Sequence, residues 1–293
     1  MSSSQLSFHK ISKSFGDIKA LDSVSIDIPP SSIFGILGPN GSGKSTLIRI
    51  LAGLITSWNG NIFYKDNSIH NDKNYLKNFG FIVEDPSFYQ YLSAIKNLQI
   101  FCRLTNTPFS RINEVLDLVD LLDRKYDKVS NYSYGMKQRL GIAQALLHDP
   151  KILILDEPNN GLDPIGVNQI ADIIYKLNHD GKTICISTHS LTEVDRLCSD
   201  VAILKEGKLI INKNIKTELK RKNFFRIEIS DLSKAIKVIK KIKGVSIISK
   251  QSNSIIVSQN AKNISLIENK NLKKFEYIQS VHTESNLIEH YYV

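Results

Sequence analysis

The sequence predicts an α/β fold with a largely parallel sheet, a helical segment inserted between its strands, and a small α+β domain at the C-terminal end. Three observations carry this. Residues 32–37 are a continuous apolar run that leads into a glycine-rich loop and then into the helical pattern Leu47, Ile48, Ile50, Leu51, which is strand, loop and helix in order. Buried-strand runs return at 152–155 and 183–187, each followed by helical sequence, as a parallel sheet requires. From about 86 to 148 the pattern is mostly helical, with Leu116, Val119 and Leu122 on one face.

The remaining elements follow along the chain. Residues 5–29 alternate apolar and polar (Leu6, Phe8, then Val24, Ile26, Ile28) and predict two half-buried strands broken near Gly16. Gly207 marks a hairpin-like turn, and the basic run Lys220-Arg221-Lys222 suggests a boundary near 213–222, giving domains at 1–215 and 216–293. The second domain reads strand (Phe225, Ile227, Ile229), helix (Ala235–Ile242), strand (Val245–Ile248), strand (Ser254–Val257), helix (Ile264–Asn271) and strand (Phe275–Ile278). That is the split β-α-β-β-α-β order of ferredoxin-like domains.

Composition narrows the class. With 293 residues there is room for one large domain and a small one, and 42% hydrophobic with 23% charged residues excludes a disordered or collagen-like chain. No run reaches the ~18–20 apolar residues that a membrane-spanning helix needs. The polar start Met1-Ser2-Ser3-Ser4-Gln5 is unlike a secretory signal. Cys102, Cys185 and Cys198 are odd in number and lack Cys-x-x-Cys spacing, which suits a reducing compartment. A cytoplasmic protein, or one resting on the cytoplasmic face of a membrane, is expected. Residues 1–215 carry 23 Lys+Arg against 22 Asp+Glu, and residues 216–293 carry 15 against 7. A basic tail is open to nucleic acid or an anionic membrane, although a solvated face is the plainer account.

The strongest chemical signal is Gly38-Pro39-Asn40-Gly41-Ser42-Gly43-Lys44-Ser45-Thr46, placed between strand and helix. Its glycines let backbone N–H groups converge on phosphate oxygens, and the helix that follows presents its positive end. Lys44 would bridge the β- and γ-phosphates of ATP and Ser45 would ligate Mg²⁺. The bland alternative, a glycine-rich turn with a chance lysine, does not explain the strand–loop–helix context. Asp156 and Glu157 directly follow the apolar strand 152–155. There Asp156 can hold Mg²⁺ through a water, and Glu157 can act as general base on an attacking water.

Ser133-Tyr134-Gly135-Met136-Lys137-Gln138, continuing into Arg139-Leu140-Gly141, resembles the signature motif of ATP-binding cassette (ABC) ATPases. Asn160-Gly161-Leu162-Asp163-Pro164 resembles the D-loop of that family, Ser187-Thr188-His189 its switch histidine, and Phe15 stands where the family places an aromatic ring on adenine. The resemblance implies a P-loop NTPase core of ABC type, a head-to-tail homodimer on binding ATP, and Mg²⁺ at Ser45, Asp156 and Glu84. It implies that Ser133 and Gly135 of one copy reach the γ-phosphate held by Lys44 of the other, that His189 contacts the same phosphate, and that Asp163 lies near the nucleotide.

Two positions depart from the family. Glu84, in Phe81-Ile82-Val83-Glu84-Asp85-Pro86, replaces the usual Gln, and Tyr134 replaces the first signature glycine. A second carboxylate near Asp156 and Glu157 tightens the demand for metal, and a bulky Tyr134 should turn its ring away from the nucleotide. Glu84, the Pro86-x-Phe88-Tyr89 stretch after it and the signature variant ending Met136-Lys137-Gln138 resemble cassettes of the bacitracin-resistance and lantibiotic-immunity type, and the tail ending Ser285-Asn286-Leu287-Ile288-Glu289-His290-Tyr291-Tyr292 resembles the C-terminal extension of that group. The implied function is the ATPase subunit of an exporter, serving a separately encoded transmembrane permease. The alternative is a soluble ABC ATPase acting on nucleic acid or ribosomes. Against it, the chain carries one cassette, and no long coiled coil fits between Lys44 and Ser133. No nucleic-acid partner is expected: the tail lacks the aromatic-rich pattern of RNA-recognition domains.

Overall fold

The computed structural model describes residues 4–70, 73–214, 222–242, 244–250, 252–260 and 275–284, and the chain divides into two compact units, Met1–Asn212 and Lys213–Val293. In the first unit a six-stranded sheet is built from β3 (Ile33–Leu37), β6 (Phe79–Ile82), β7 (Ile152–Asp156), β8 (Thr183–Thr188), β9 (Asp200–Lys205) and β10 (Lys208–Asn214), in the order β10-β9-β3-β8-β7-β6. From β9 to β6 neighbouring strands run parallel. β3, β7 and β8 are buried throughout, which is why they read as unbroken apolar runs and not as alternating ones.

A second, antiparallel sheet consists of β1 (Leu6–Phe15), β2 (Ile18–Ile28), β4 (Asn59–Tyr64) and β5 (Asn67–Ser68), in the order β2-β1-β4-β5. Leu6, Phe8, Ile26 and Ile28 from this sheet share one buried cluster with Phe34, Ile36 and Ile154. Helix α1 (Lys44–Leu51) adds Leu47, Ile48, Ile50 and Leu51 to it. The inserted helical region contains α2 (Ala94–Thr105), α3 (Arg111–Leu118) and α4 (Tyr134–Leu146). α5 (Pro164–His179) and α6 (Leu191–Leu197) follow β7 and β8. The β9–β10 hairpin turns at Glu206 and Gly207, both left-handed (φ 50° and 74°), the conformation of a two-residue primed turn.

The second unit is a four-stranded antiparallel sheet of β11 (Lys222–Ile229), β12 (Val245–Lys250), β13 (Ser254–Asn260) and β14 (Ile278–Glu284), with helix α7 (Leu232–Ile239) between β11 and β12. Its strand order, β12-β13-β11-β14, places the third strand between the first and second, the arrangement of a split β-α-β unit. Phe225, Ile227, Ile229, Ala235, Ile239, Ile255 and Val257 form its core. Two expectations need correction. The helix starts at Leu232, not Ala235, because Asp231 caps it by accepting from the Lys234 N–H (3.0 Å). The last strand begins at Ile278: Phe275 and Tyr277 form a turn, closed by Ile278 N–H donating to Phe275 O (2.8 Å), while their rings pack on the core. The helix expected at 264–271 and the segment Ser285–Tyr292 lie outside the described residues.

Candidate active site

The site grows from the register of the parallel strands. Leu37 lies beside Thr188, Asp156 beside Ser187, and Ile82 beside Leu155. The loops that begin at Gly38, Glu157, His189 and Val83 therefore leave the same edge of one sheet, the carboxyl edge where open α/β sheets bind ligands.

Gly38–Thr46 leaves β3 and enters α1. Gly43 has a φ of 105°, and a Cβ there would come within 2.6 Å of Ala20 O and 2.7 Å of Leu21 Cδ2, so only glycine fits. Gly38 is constrained by space: a Cβ would meet Ser42 Oγ at 2.3 Å and Leu204 O at 2.4 Å. No side chain caps α1, and its first turn holds no acidic residue. Its N-terminal N–H groups thus face the loop as an anion site. The Ser42 hydroxyl is buried without a hydrogen-bond partner. Buried Lys44 donates from Nζ to the carbonyls of Gly38 (2.8 Å) and Pro39 (3.2 Å) and lies 3.4 Å from Glu157 Oε1. An uncapped helix end, an orphaned hydroxyl and a buried ammonium fit a polyphosphate.

Asp156 is 7% exposed and accepts a hydrogen bond from the Ser187 hydroxyl. Glu157 follows in the left-handed region (φ 47°), with its N–H donating to Ser187 O (3.1 Å) and Oγ (3.0 Å). For a non-glycine residue that backbone is costly. Its carboxylate lies 2.9 Å from His189 Nδ1. Lys44, Glu157 and His189 are therefore joined, the carboxylate between two nitrogen groups. Among the described residues no group of three His, Cys, Asp or Glu could hold a metal alone. Mg²⁺ held by the Ser45 hydroxyl and Asp156 would take the rest of its shell from phosphate oxygens and water.

Other predicted residues have local partners. Glu84 leaves β6 with φ 67° and forms an ion pair with Arg49 of α1. Ser133 caps α4, its hydroxyl accepting from the Met136 N–H (3.2 Å), and a Cβ on Gly135 would lie 3.6 Å from Leu162. Asp163 caps α5 by accepting from the Gly166 N–H (2.7 Å). Phe15, at the end of β1, is half exposed, with Lys13 Nζ 4.8 Å from the ring centroid. Tyr134 donates its hydroxyl to Asp85 (2.5 Å), which pushes its pKa up to about 12. Arg49, Asn159 and Glu193 have no role in the reading of the sequence, and Ser187 enters it only within Ser187-Thr188-His189; of the first three only Glu193, as part of Ser190-x-x-Glu193, carries a local signal.

The ABC transporter family matches residues 21–160. The bacitracin transport ATP-binding protein BcrA of Bacillus licheniformis is 42% identical over 231 residues, covering 77% of this chain and 75% of that protein. The chain belongs to the ABC transporter ATP-binding family. The lantibiotic transport ATP-binding protein SrtF of Streptococcus pyogenes is 39% identical, covering 71% of this chain and 90% of its own length. Among solved structures, cbiO1 from Clostridium perfringens, part of the ABC transporter complex cbiONQ, superposes with a TM-score of 0.67 at 29% identity, covering 73% of this chain and 90% of that one. The cassette is thus an ATP-binding subunit of a transporter, in a family that hydrolyses ATP. Among the described residues no helix is long and apolar enough to cross a membrane.

Proposed function

We propose that this cassette hydrolyses Mg·ATP to drive export of a peptide antibiotic or similar drug-like substrate. It would work as a head-to-tail homodimer, on the cytoplasmic face of the membrane, beneath separately encoded permease subunits. The observation that carries the reading is the Lys44–Glu157–His189 arrangement at the carboxyl edge of the sheet. The likeness to BcrA and SrtF supports the substrate class.

Each residue then has a task. The loop N–H groups and Lys44 hold the β- and γ-phosphates. Mg²⁺ at Ser45 and Asp156, with Glu84 as a further candidate ligand, would neutralise charge on the phosphate oxygens. Glu157 takes the proton of the attacking water. His189 fixes that carboxylate and contacts the γ-phosphate. Ser133 and Gly135, at the positive end of α4, donate to the γ-phosphate of the second copy, with Asp163 at the seam between copies and Phe15 against adenine.

Glu157→Gln tests this. The amide keeps the shape and loses the base, so hydrolysis should fall steeply while Mg·ATP gathers the variant into a stable dimer on gel filtration. A variant that stays monomeric and hydrolyses normally would sink both assignments. Lys44→Ala should lose nucleotide binding instead.

A further inference from the structure

Glu193 is in the wrong place for its sequence. Ser190-Leu191-Thr192-Glu193 has the form of a capping box, in which the glutamate reaches back to the N–H of the capping serine. Half of the box forms: Ser190 Oγ accepts from the Glu193 N–H at 3.3 Å. The other half does not. The Ser190 N–H donates instead to Thr188 Oγ1 (3.0 Å), and the Glu193 carboxylate turns inward. One oxygen accepts from the Thr188 hydroxyl and the other from the Asn159 side-chain amide.

That choice is expensive. Burial pushes the Glu193 carboxyl above the usual carboxylate range, against the pull of both hydrogen bonds and of the His189 charge. At the mouth of a helix a solvated glutamate would have favoured the helix end at no such cost. The position of its two partners explains the exchange. Thr188 immediately precedes His189, and Asn159 stands two residues after Glu157 in the segment that continues to Asp163. Glu193 also lines, with Glu157, Asn160 and His189, a cavity of about 420 Å³.

We infer that Glu193 is a positioning residue that ties the His189 loop to the Asn159–Asp163 loop. It sets the Glu157–His189 spacing and passes a displacement of one loop to the other. The inference rests on the reading that Glu157 and His189 serve hydrolysis. The carboxylate's hydrogen bonds go to Thr188 and Asn159, not to Glu157 or His189 themselves. Through those two it fixes where Glu157 and His189 stand.

The test uses the full chain and steady-state ATP hydrolysis together with equilibrium binding of a fluorescent ATP analogue. Glu193→Ala should lower kcat at least about tenfold, equivalent to about 1.4 kcal/mol in barrier, with nucleotide affinity within about threefold of the parent. Glu193→Gln should restore kcat to within about threefold, because its amide can accept from Asn159 and donate to the Thr188 hydroxyl. Thr188→Val removes one of the two arms, together with the acceptor of the Ser190 N–H, and should lower kcat in the same direction, while adding it to Glu193→Ala should cost less than the sum of the two single changes. Parent-like kcat in Glu193→Ala overturns the inference, as does a Glu193→Gln variant that falls as far as the alanine. If Glu193→Ala does not fold, Thr188→Val decides: parent-like kcat there also overturns it. Glu157→Gln, run beside them, separates this inference from the base assignment, since normal hydrolysis in that variant would refute the base whatever Glu193 does.

Discussion

Glu84 is held away from solvent averaging by one contact, the ion pair with Arg49, at a residue whose own backbone is left-handed. An exposed pair of this kind contributes only ~0–1 kcal/mol, so Mg²⁺ can draw the carboxylate off Arg49 at small cost. Two consequences follow. Glu84→Gln should leave hydrolysis within about tenfold of the parent, about 1.4 kcal/mol in barrier. Arg49→Ala, which removes the competitor, should lower the Mg²⁺ concentration for half-maximal turnover. A Mg²⁺ titration of ATP hydrolysis checks both, and an unchanged midpoint in Arg49→Ala would show that Glu84 stays in the loop and never meets the metal. Tyr134 gives a second prediction at this scale. Its hydroxyl donates to Asp85, and its pKa is raised to about 12 from 10.0. A raised folded-state value means that the neutral phenol is the stabilised form. Its contribution is complete below pH 10 and is lost as pH rises through 10 to 12. Denaturation of Tyr134→Phe against the parent across that window should show a stability difference that is constant below pH 10 and fades to nothing as pH rises to about 12.

Among elements, α4 reports how the site is braced. It is buried over most of its surface, and Gly141 lets it approach the loop that follows Glu84: a Cβ would come within 2.5 Å of Pro86 Cγ. Gln138 donates to Pro158 O (3.1 Å), so the same helix also touches the segment after Glu157. In Gly141→Ala the gain in helix propensity of ~1 kcal/mol opposes an overpacking cost of ~1–3 kcal/mol. The proline ring has no rotamer to yield, so a net loss of about 1 kcal/mol is expected from chemical denaturation. Unchanged stability would mean that the 84–86 loop moves freely. These contacts explain what the sequence revealed and what it hid. The phosphate loop and Asp156-Glu157 were legible because their chemistry demands fixed residue types directly after buried strands, whereas His189 was legible only through the resemblance to the ABC family. β4 and β6 were missed, since Asn59–Tyr64 holds too few apolar residues and Phe79–Ile82 is only four long. Arg49 carries no pattern of its own, and Ser187 only its place before Thr188 and His189. Their roles arise from strand register and from the facing of α1, which tertiary packing sets. The start of α7 was misplaced for a local reason, the Asp231 cap, and the onset of β14 because aromatic residues in a turn read like a strand.

At the scale of the molecule, charge and chemistry are divided. Every residue assigned to ATP lies in the first unit, while residues 216–293 hold 15 Lys+Arg against 7 Asp+Glu. Each unit has its own apolar core and its own sheets. A chain ending at Asn214, after β10, should therefore bind ATP and hydrolyse it within about threefold of the full chain, under 1 kcal/mol in barrier. What it should lose is association: either closure of the ATP-bound dimer or capture by the permease. Gel filtration in the Glu157→Gln background, with and without residues 215–293, separates these two. If the shortened chain still dimerises on Mg·ATP, the second unit serves the permease. If it stays monomeric while binding ATP, the unit supports the dimer. A full chain that instead binds RNA tightly, with affinity falling steeply between low and physiological salt as phosphate contacts require, would overturn the transporter-side role of this unit. A shortened chain that folds but no longer binds ATP would contradict the division itself, because none of the residues that hold the phosphates has been removed.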